Sequence, residues 1–173
     1  QRVCPRHDFC KLEARRGTRH AVGWDASERI RNSHTHPPQS LFLREDFQAG
    51  FQELANRDLT FDAWLYHPQI SDVTTLAKMF PDTTIIFDHF GGPLGIGPYA
   101  NQGDLVFDEW AASVAELAKC ANVYPKLGGI VMPLNGFGWH KQERPATSDE
   151  LVAATGRYHL KTIDNCRKNA WNP

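Results

Sequence analysis

Short apolar runs alternate with amphipathic helical stretches along this chain, and that alternation restricts the fold more than any other feature. Residues 17–24 read as a weak strand, 59–66 (LTFDAWLY) and 83–87 (TTIIF) as apolar strands, and 122–127 as a further strand. Leu43, Phe47, Phe51 and Leu54 share one helical face, as do Val73, Leu76, Ala77 and Phe80, and then Phe107, Trp110, Val114 and Leu117. Ser71 or Asp72 is expected to cap the second of these helices and Pro81-Asp82 to stop it. Thr147-Ser-Asp-Glu150 has the pattern of a capping box for a last helix. Apolar strands separated by helices mean parallel βαβ units, hence an α/β fold. Two closures stay open: a doubly wound sheet, or a segment of a (β/α)8 barrel, whose eight strands exceed those visible here.

With 173 residues the chain is read as a single domain, residues 1–173. Lys and Arg number 19 against 20 Asp and Glu, a net charge of −1. That balance speaks against a nucleic acid or a membrane surface as partner, since either calls for a basic excess. No apolar run approaches the ~20 residues of a membrane span. Cys4, Cys10, Cys120 and Cys166 are dispersed and form no Cys-x-x-Cys pair. They read as reduced thiols of a cytoplasmic protein rather than as a disulfide scaffold or zinc knuckle. A small-molecule substrate is the expected partner.

In both α/β closures functional side chains gather at the carboxyl ends of the strands. His67 follows the 59–66 run, Asp88 and His89 follow 83–87, and Lys126 lies in the last run. Arg19 and His20 lie inside the weak first strand, with Trp24 and Asp25 at its end. His67 and His89 are spaced by one βα unit. On neighbouring parallel strands, roughly 4.8 Å apart, both imidazoles are able to reach one point above the sheet. That arrangement suits a divalent metal such as zinc, with Asp88 orienting His89 or acting on a substrate proton. The alternative is that each histidine caps its own strand. Lys126 either binds an anionic substrate group or pairs with a neighbouring acid, because a bare ammonium in an apolar strand is costly.

Two other motifs carry less. His34-Thr-His36 has the H-x-H spacing of a metal pair, but polar SERIRNS precedes it and Pro37-Pro38 follows, so it reads as loop. Gly95-Ile-Gly97-Pro-Tyr-Ala100 matches a dinucleotide fingerprint, yet it does not turn directly from strand to helix and Pro98 sits within it. No G-x-S-x-G elbow and no P-loop occurs.

Gly17-Thr-Arg-His20, Phe61-Asp-Ala-Trp-Leu-Tyr-His-Pro-Gln69, Phe80-Pro-Asp-Thr-Thr-Ile-Ile-Phe-Asp-His-Phe-Gly-Gly-Pro93 and Val123-Tyr-Pro-Lys-Leu-Gly-Gly129 together resemble the amidohydrolase superfamily. The nearest branch is the amidohydrolase 2 group, which includes sugar and pyrone-dicarboxylate lactonases and is related to metal-dependent decarboxylases. The resemblance covers roughly residues 15–155. It implies a (β/α)8 barrel, with the runs here as strands four to seven. It also implies hydrolysis of a lactone or similar small carbonyl compound with a divalent metal, zinc or similar, in the branches that use one. His67 and His89 then stand at the ends of strands five and six as metal ligands or substrate contacts. Asp88 and His89 become the catalytic candidates, and Arg19, His20 and Lys126 hold substrate oxygens. The family's first-strand H-x-H and eighth-strand Asp have no counterpart in this chain. The expectation is therefore a partial barrel that forms homo-oligomers or needs its missing strands. The alternatives are a decarboxylase on the same barrel and a non-catalytic fragment.

Overall fold

The computed structural model describes residues 20–22 and 41–168. Strands β1 (His20–Val22), β2 (Thr60–Ala63), β3 (Ile85–Phe87) and β4 (Val123–Pro125) form one parallel sheet in the order β1-β2-β3-β4. Helices α1 (Glu45–Ala55), α2 (Ile70–Met79), α3 (Gly103–Leu117) and α4 (Ser148–Lys168) lie between and after them. Spatial order equals chain order, so there is no switch point among the described strands. Right-handed crossovers then place successive helices on the same face of the sheet. This is winding of the barrel type, and it closes the choice that the sequence leaves open.

Register and burial agree with that winding. Phe61 is level with Ile85, and Ile85 with Val123. All three are fully buried and share one core with Phe47, Phe51 and Leu54 of α1, Val73 and Leu76 of α2, and Trp110 and Val114 of α3. These are the apolar positions whose helical spacing is visible in the sequence. The alternate positions behave differently. Asp62 and Ile86 are half-buried and Tyr124 is 46% exposed. Side chains alternate across a strand, so Asp62, Ile86 and Tyr124 occupy the face that none of the described helices covers. In a barrel that face is the interior.

Element ends are shorter than the apolar runs suggest. The run at 59–66 leaves the ladder after Ala63, where the Trp64 N–H turns back to the Asp62 carbonyl at 3.2 Å. Neither Ser71 nor Asp72 caps α2. The helix begins earlier, at Ile70, behind a 3-10 turn over His67–Gln69 that contains Pro68. Gln69 Oε1 accepts the Tyr66 N–H at 3.1 Å. The capping box of α4 is present: Glu150 N–H donates to Thr147 Oγ1 at 3.3 Å, and Thr147 N–H to Glu150 Oε2 at 2.7 Å. The hydrogen bonds from Arg144 and Thr147 hold the Glu150 carboxyl down at about 2. Thr147→Ala is expected to cost about 1 kcal/mol, read as a lower urea midpoint. Among the described residues no helix is long and apolar enough to cross a membrane.

Candidate active site at the carboxyl ends of the strands

Parallel strands send all their carboxyl ends to one side, and three titratable side chains meet there. Lys126 Nζ lies 2.7 Å from Asp88 Oδ1 and 3.4 Å from Asp62 Oδ1. The Lys126 N–H donates to the Phe87 carbonyl at 2.9 Å, which extends the β3–β4 ladder by one step and sets the lysine's height. The two carboxylates are mostly covered while the ammonium is half exposed. Partial burial acts to lower the Lys126 pKa, but Asp88 and then Asp62 outweigh it and raise the value. The ammonium stays charged. Its hydrogen bond goes to Asp62 and its closest ion pair to Asp88, which leaves donor capacity for a substrate oxygen.

His89 reaches the rim through an uncommon backbone. After β3 the chain makes a left-handed turn, with φ of 50° at His89, 58° at Phe90, 64° at Gly91 and 50° at Gly92. For non-glycine residues this costs roughly 1–2 kcal/mol each, and such strain gathers at functional sites. The fold offsets it by burying Phe90 and by the Trp110 Nε1–H, which donates to the Phe90 carbonyl at 2.6 Å. The turn lays the His89 ring against the β4–α4 loop, where His89 Nδ1 lies 3.2 Å from the Gly128 carbonyl. A carbonyl only accepts, so Nδ1 carries the proton and Nε2 keeps its lone pair. Gly129 lies under the ring at φ +81°, and a Cβ there would stand 2.1 Å from His89 Nδ1.

His67 shows the opposite arrangement. Its ring is buried, with Tyr99 edge-on at 4.8 Å between centroids. Its Nδ1 accepts the Leu94 backbone N–H at 3.2 Å. A backbone amide only donates, so Nδ1 is bare and the proton sits on Nε2. Nε2 has no hydrogen-bond partner among the described residues and faces Glu109 Oε2 of α3 at 3.9 Å. Burial pushes the His67 pKa down to about 4. Between that value and the ordinary imidazole value of about 6.5 the unfolded chain binds more protons than the folded one. Stability is therefore full above about 6.5 and falls as pH drops towards about 4, by on the order of 3 kcal/mol. Urea unfolding at about pH 7.5 and about pH 4.5 should show this loss, and His67→Asn should remove it.

Among the described residues a metal finds only part of a site. The neighbours of the two histidines do not overlap: Leu94, Tyr99 and Glu109 surround His67, and Gly128 and Gly129 contact His89. Strand spacing alone does not make them converge, because His67 follows its strand through a 3-10 turn and faces α3. Among the described residues no group of three or more His, Cys, Asp or Glu side chains is arranged to hold a metal ion. His89 Nε2 fits a ligand's chemistry, whereas protonated His67 Nε2 does not. Of the substrate-contact candidates, Arg19 lies outside the described residues, as do Trp24, Asp25 and His34-Thr-His36. His20 opens β1 level with Thr60, at the amino end of the sheet; its side chain lies outside the described set. Gly95 and Gly97 form no strand-to-helix turn; Gly97–Tyr99 is a separate 3-10 turn and α3 begins at Gly103. Asp62 escapes sequence reading because it sits inside an apolar run. The alternation Phe61-Asp62-Ala63 is the pattern that separates it from its buried neighbours.

The amidohydrolase family model matches residues 11–160, most of the chain. The chain belongs to the amidohydrolase family. The chain is 32% identical over 111 residues to the uncharacterized protein y4mH of Sinorhizobium fredii, covering 64% of this chain and 34% of that protein. A crystal structure of an amidohydrolase from Burkholderia multivorans with bound HEPES superposes with a TM-score of 0.60 at 21% identity, covering 83% of this chain and 54% of that one. A second crystal form of the Burkholderia amidohydrolase, with bound zinc, gives a TM-score of 0.59 at 20% identity, covering 83% and 53%. The chain thus spans about half of that structure and a third of y4mH. The superposition supports the partial barrel; at this identity it concerns the fold alone.

Proposed function

We propose that the enzyme containing this chain hydrolyses a lactone or a similar small carbonyl compound at the rim formed by β2, β3 and β4. The observation that carries this reading is Lys126, held between Asp88 and Asp62 with donor capacity to spare, together with His89, the residue after Asp88, whose Nε2 lone pair is kept available. Lys126 donates to the carbonyl or carboxylate oxygen of the substrate. His89 Nε2 takes a proton from the attacking water. Asp88 acts through Lys126 by fixing and balancing its charge. A contact of Arg19 with a further substrate oxygen rests on the family resemblance alone; His20, at the amino end of β1, stands at the opposite end of the strand from this rim and has no such role in this reading. Zinc in the Burkholderia amidohydrolase supports a divalent metal in this one. When bound, such a metal polarises a carbonyl or activates water; among the described residues His89 Nε2 is the atom that fits it, and with its one lone pair given to a metal it would hold that metal instead of acting as the base. The free thiols Cys120 and Cys166 support a cytoplasmic setting.

In the proposed reaction water adds to the carbonyl carbon and the ring C–O bond breaks. The product is a hydroxy acid, with one proton released at neutral pH. A panel of sugar and aromatic lactones, followed by proton release in weak buffer with and without added zinc, tests this in the full-length enzyme. Proton release with ring opening supports hydrolysis. Carbon dioxide from a carboxylated substrate, with no ring opening, would replace it with decarboxylation.

A further inference from the structure

We propose that His67 is a positioning residue that sets the tautomer of His89 from a distance, and that it is not a metal ligand. The inference rests on the reading that His89 is the acting imidazole. It is carried by a series of polar contacts that ties His67 to the segment after β3, and that segment to the loop on which Gly128 lies.

His67 grips the segment after β3 twice. Its backbone N–H donates to the Gly92 carbonyl at 3.3 Å, and its Nδ1 accepts the Leu94 N–H at 3.2 Å. That segment is clasped in turn to the β4–α4 loop. Asn135 is buried, its Nδ2–H donates to the Pro93 carbonyl at 2.7 Å, and its Oδ1 accepts the Met132 N–H at 2.9 Å. The Gly95 N–H donates to the Leu134 carbonyl at 2.9 Å. Backbones touch there, since a Cβ on Gly95 would stand 2.2 Å from the Asn135 carbonyl oxygen. The same β4–α4 loop carries Gly128, whose carbonyl takes the His89 Nδ1 proton. His67 therefore anchors, through Leu94 and Asn135, the loop that decides which nitrogen of His89 is bare.

A ligand role for His67 conflicts with this geometry. Binding through Nε2 requires the neutral ring to move its proton to Nδ1. Nδ1–H would then face the Leu94 N–H, donor against donor, and would leave a buried amide without an acceptor.

Histidine labelled with 15N in the full chain tests the proposal, because long-range proton–nitrogen spectra report each ring's tautomer without any need for turnover. The expected result is Nε2–H for His67 and Nδ1–H for His89. His67→Asn, whose Oδ1 replaces the Nδ1 acceptor, should leave His89 as Nδ1–H. His67→Phe should lose that single form and give a mixture. Asn135→Ala cuts the series elsewhere and should give the same mixture, so the test survives if His67→Phe fails to fold. Zinc chloride should leave the His67 Nε2 resonance unmoved. Nδ1–H at His67, a zinc-dependent shift of its Nε2, or an unaltered His89 tautomer in folded His67→Phe or Asn135→Ala would each overturn the proposal. The expected spectra from an enzyme inactive on every lactone would overturn the functional reading alone.

Discussion

Gly129→Ala is expected to reduce turnover as severely as removal of the His89 imidazole, at least about tenfold. The added methyl would stand 2.1 Å from His89 Nδ1, 2.7 Å from Cγ and 2.9 Å from Cε1. No real Cβ contact is that close, so the ring or the loop must move. The ring is held by the left-handed turn and by the Gly128 carbonyl, and the loop by Asn135 and the Gly95–Leu134 hydrogen bond. Alanine at φ +81° adds backbone strain of roughly 1–2 kcal/mol. Comparing kcat/KM for Gly129→Ala and His89→Ala checks the prediction. A Gly129→Ala enzyme with undiminished turnover would mean that the position of His89 against this loop does not matter to the reaction.

Trp110→Ala should give the largest loss of stability, about 4 kcal/mol. The indole is fully buried and packs against Phe107 and Tyr158, so it joins α3 to α4. It also donates to the Phe90 carbonyl inside the left-handed turn. The loss therefore has two parts, which a second variant separates. Trp110→Phe keeps much of the apolar bulk but leaves that carbonyl without its donor, at an expected cost of about 1–3 kcal/mol. Urea unfolding measures both. Trp110→Phe should also loosen the turn that aims His89, and so lower turnover at temperatures where the fold is intact. If Trp110→Phe retains full stability, the hydrogen bond does not support the turn.

The layers of this fold are legible in the sequence because burial imposes periodicity. Phe47, Phe51 and Leu54 of α1, and Trp110, Val114 and Leu117 of α3, recur at helical spacing and are buried where they fall. The placement of Asp88, His89 and Lys126 at strand ends is legible for a similar reason, since each follows an apolar run. What they touch is less so. That Lys126 pairs with an acid stands among the sequence alternatives, but which acids those are, Asp88 and Asp62, depends on the fold, and Asp62 lies opposite Phe61 and Ala63 inside a largely apolar run. The divergence of His67 from His89 depends on how far the chain travels beyond each strand. The former sits in a 3-10 turn beneath Leu94, the latter in a left-handed turn two residues past Phe87. Strand spacing fixes where parallel backbones run and leaves open where a side chain turns once the ladder has ended. The left-handed turn is itself hard to foresee, because two of its members, His89 and Phe90, are residue types that rarely adopt it. Asn135 and the close approach of Gly95 to Gly136 join distant loops and leave no local pattern.

Turnover of His89→Ala in the full-length enzyme, on the lactone that the wild type opens fastest, tests the central claim most directly. The account predicts a fall of at least about tenfold in kcat/KM with an unchanged unfolding midpoint, because the imidazole is half exposed and supplies the free Nε2 at the rim. Wild-type kcat/KM in a folded His89→Ala enzyme would contradict it and move the chemistry away from this edge of the barrel.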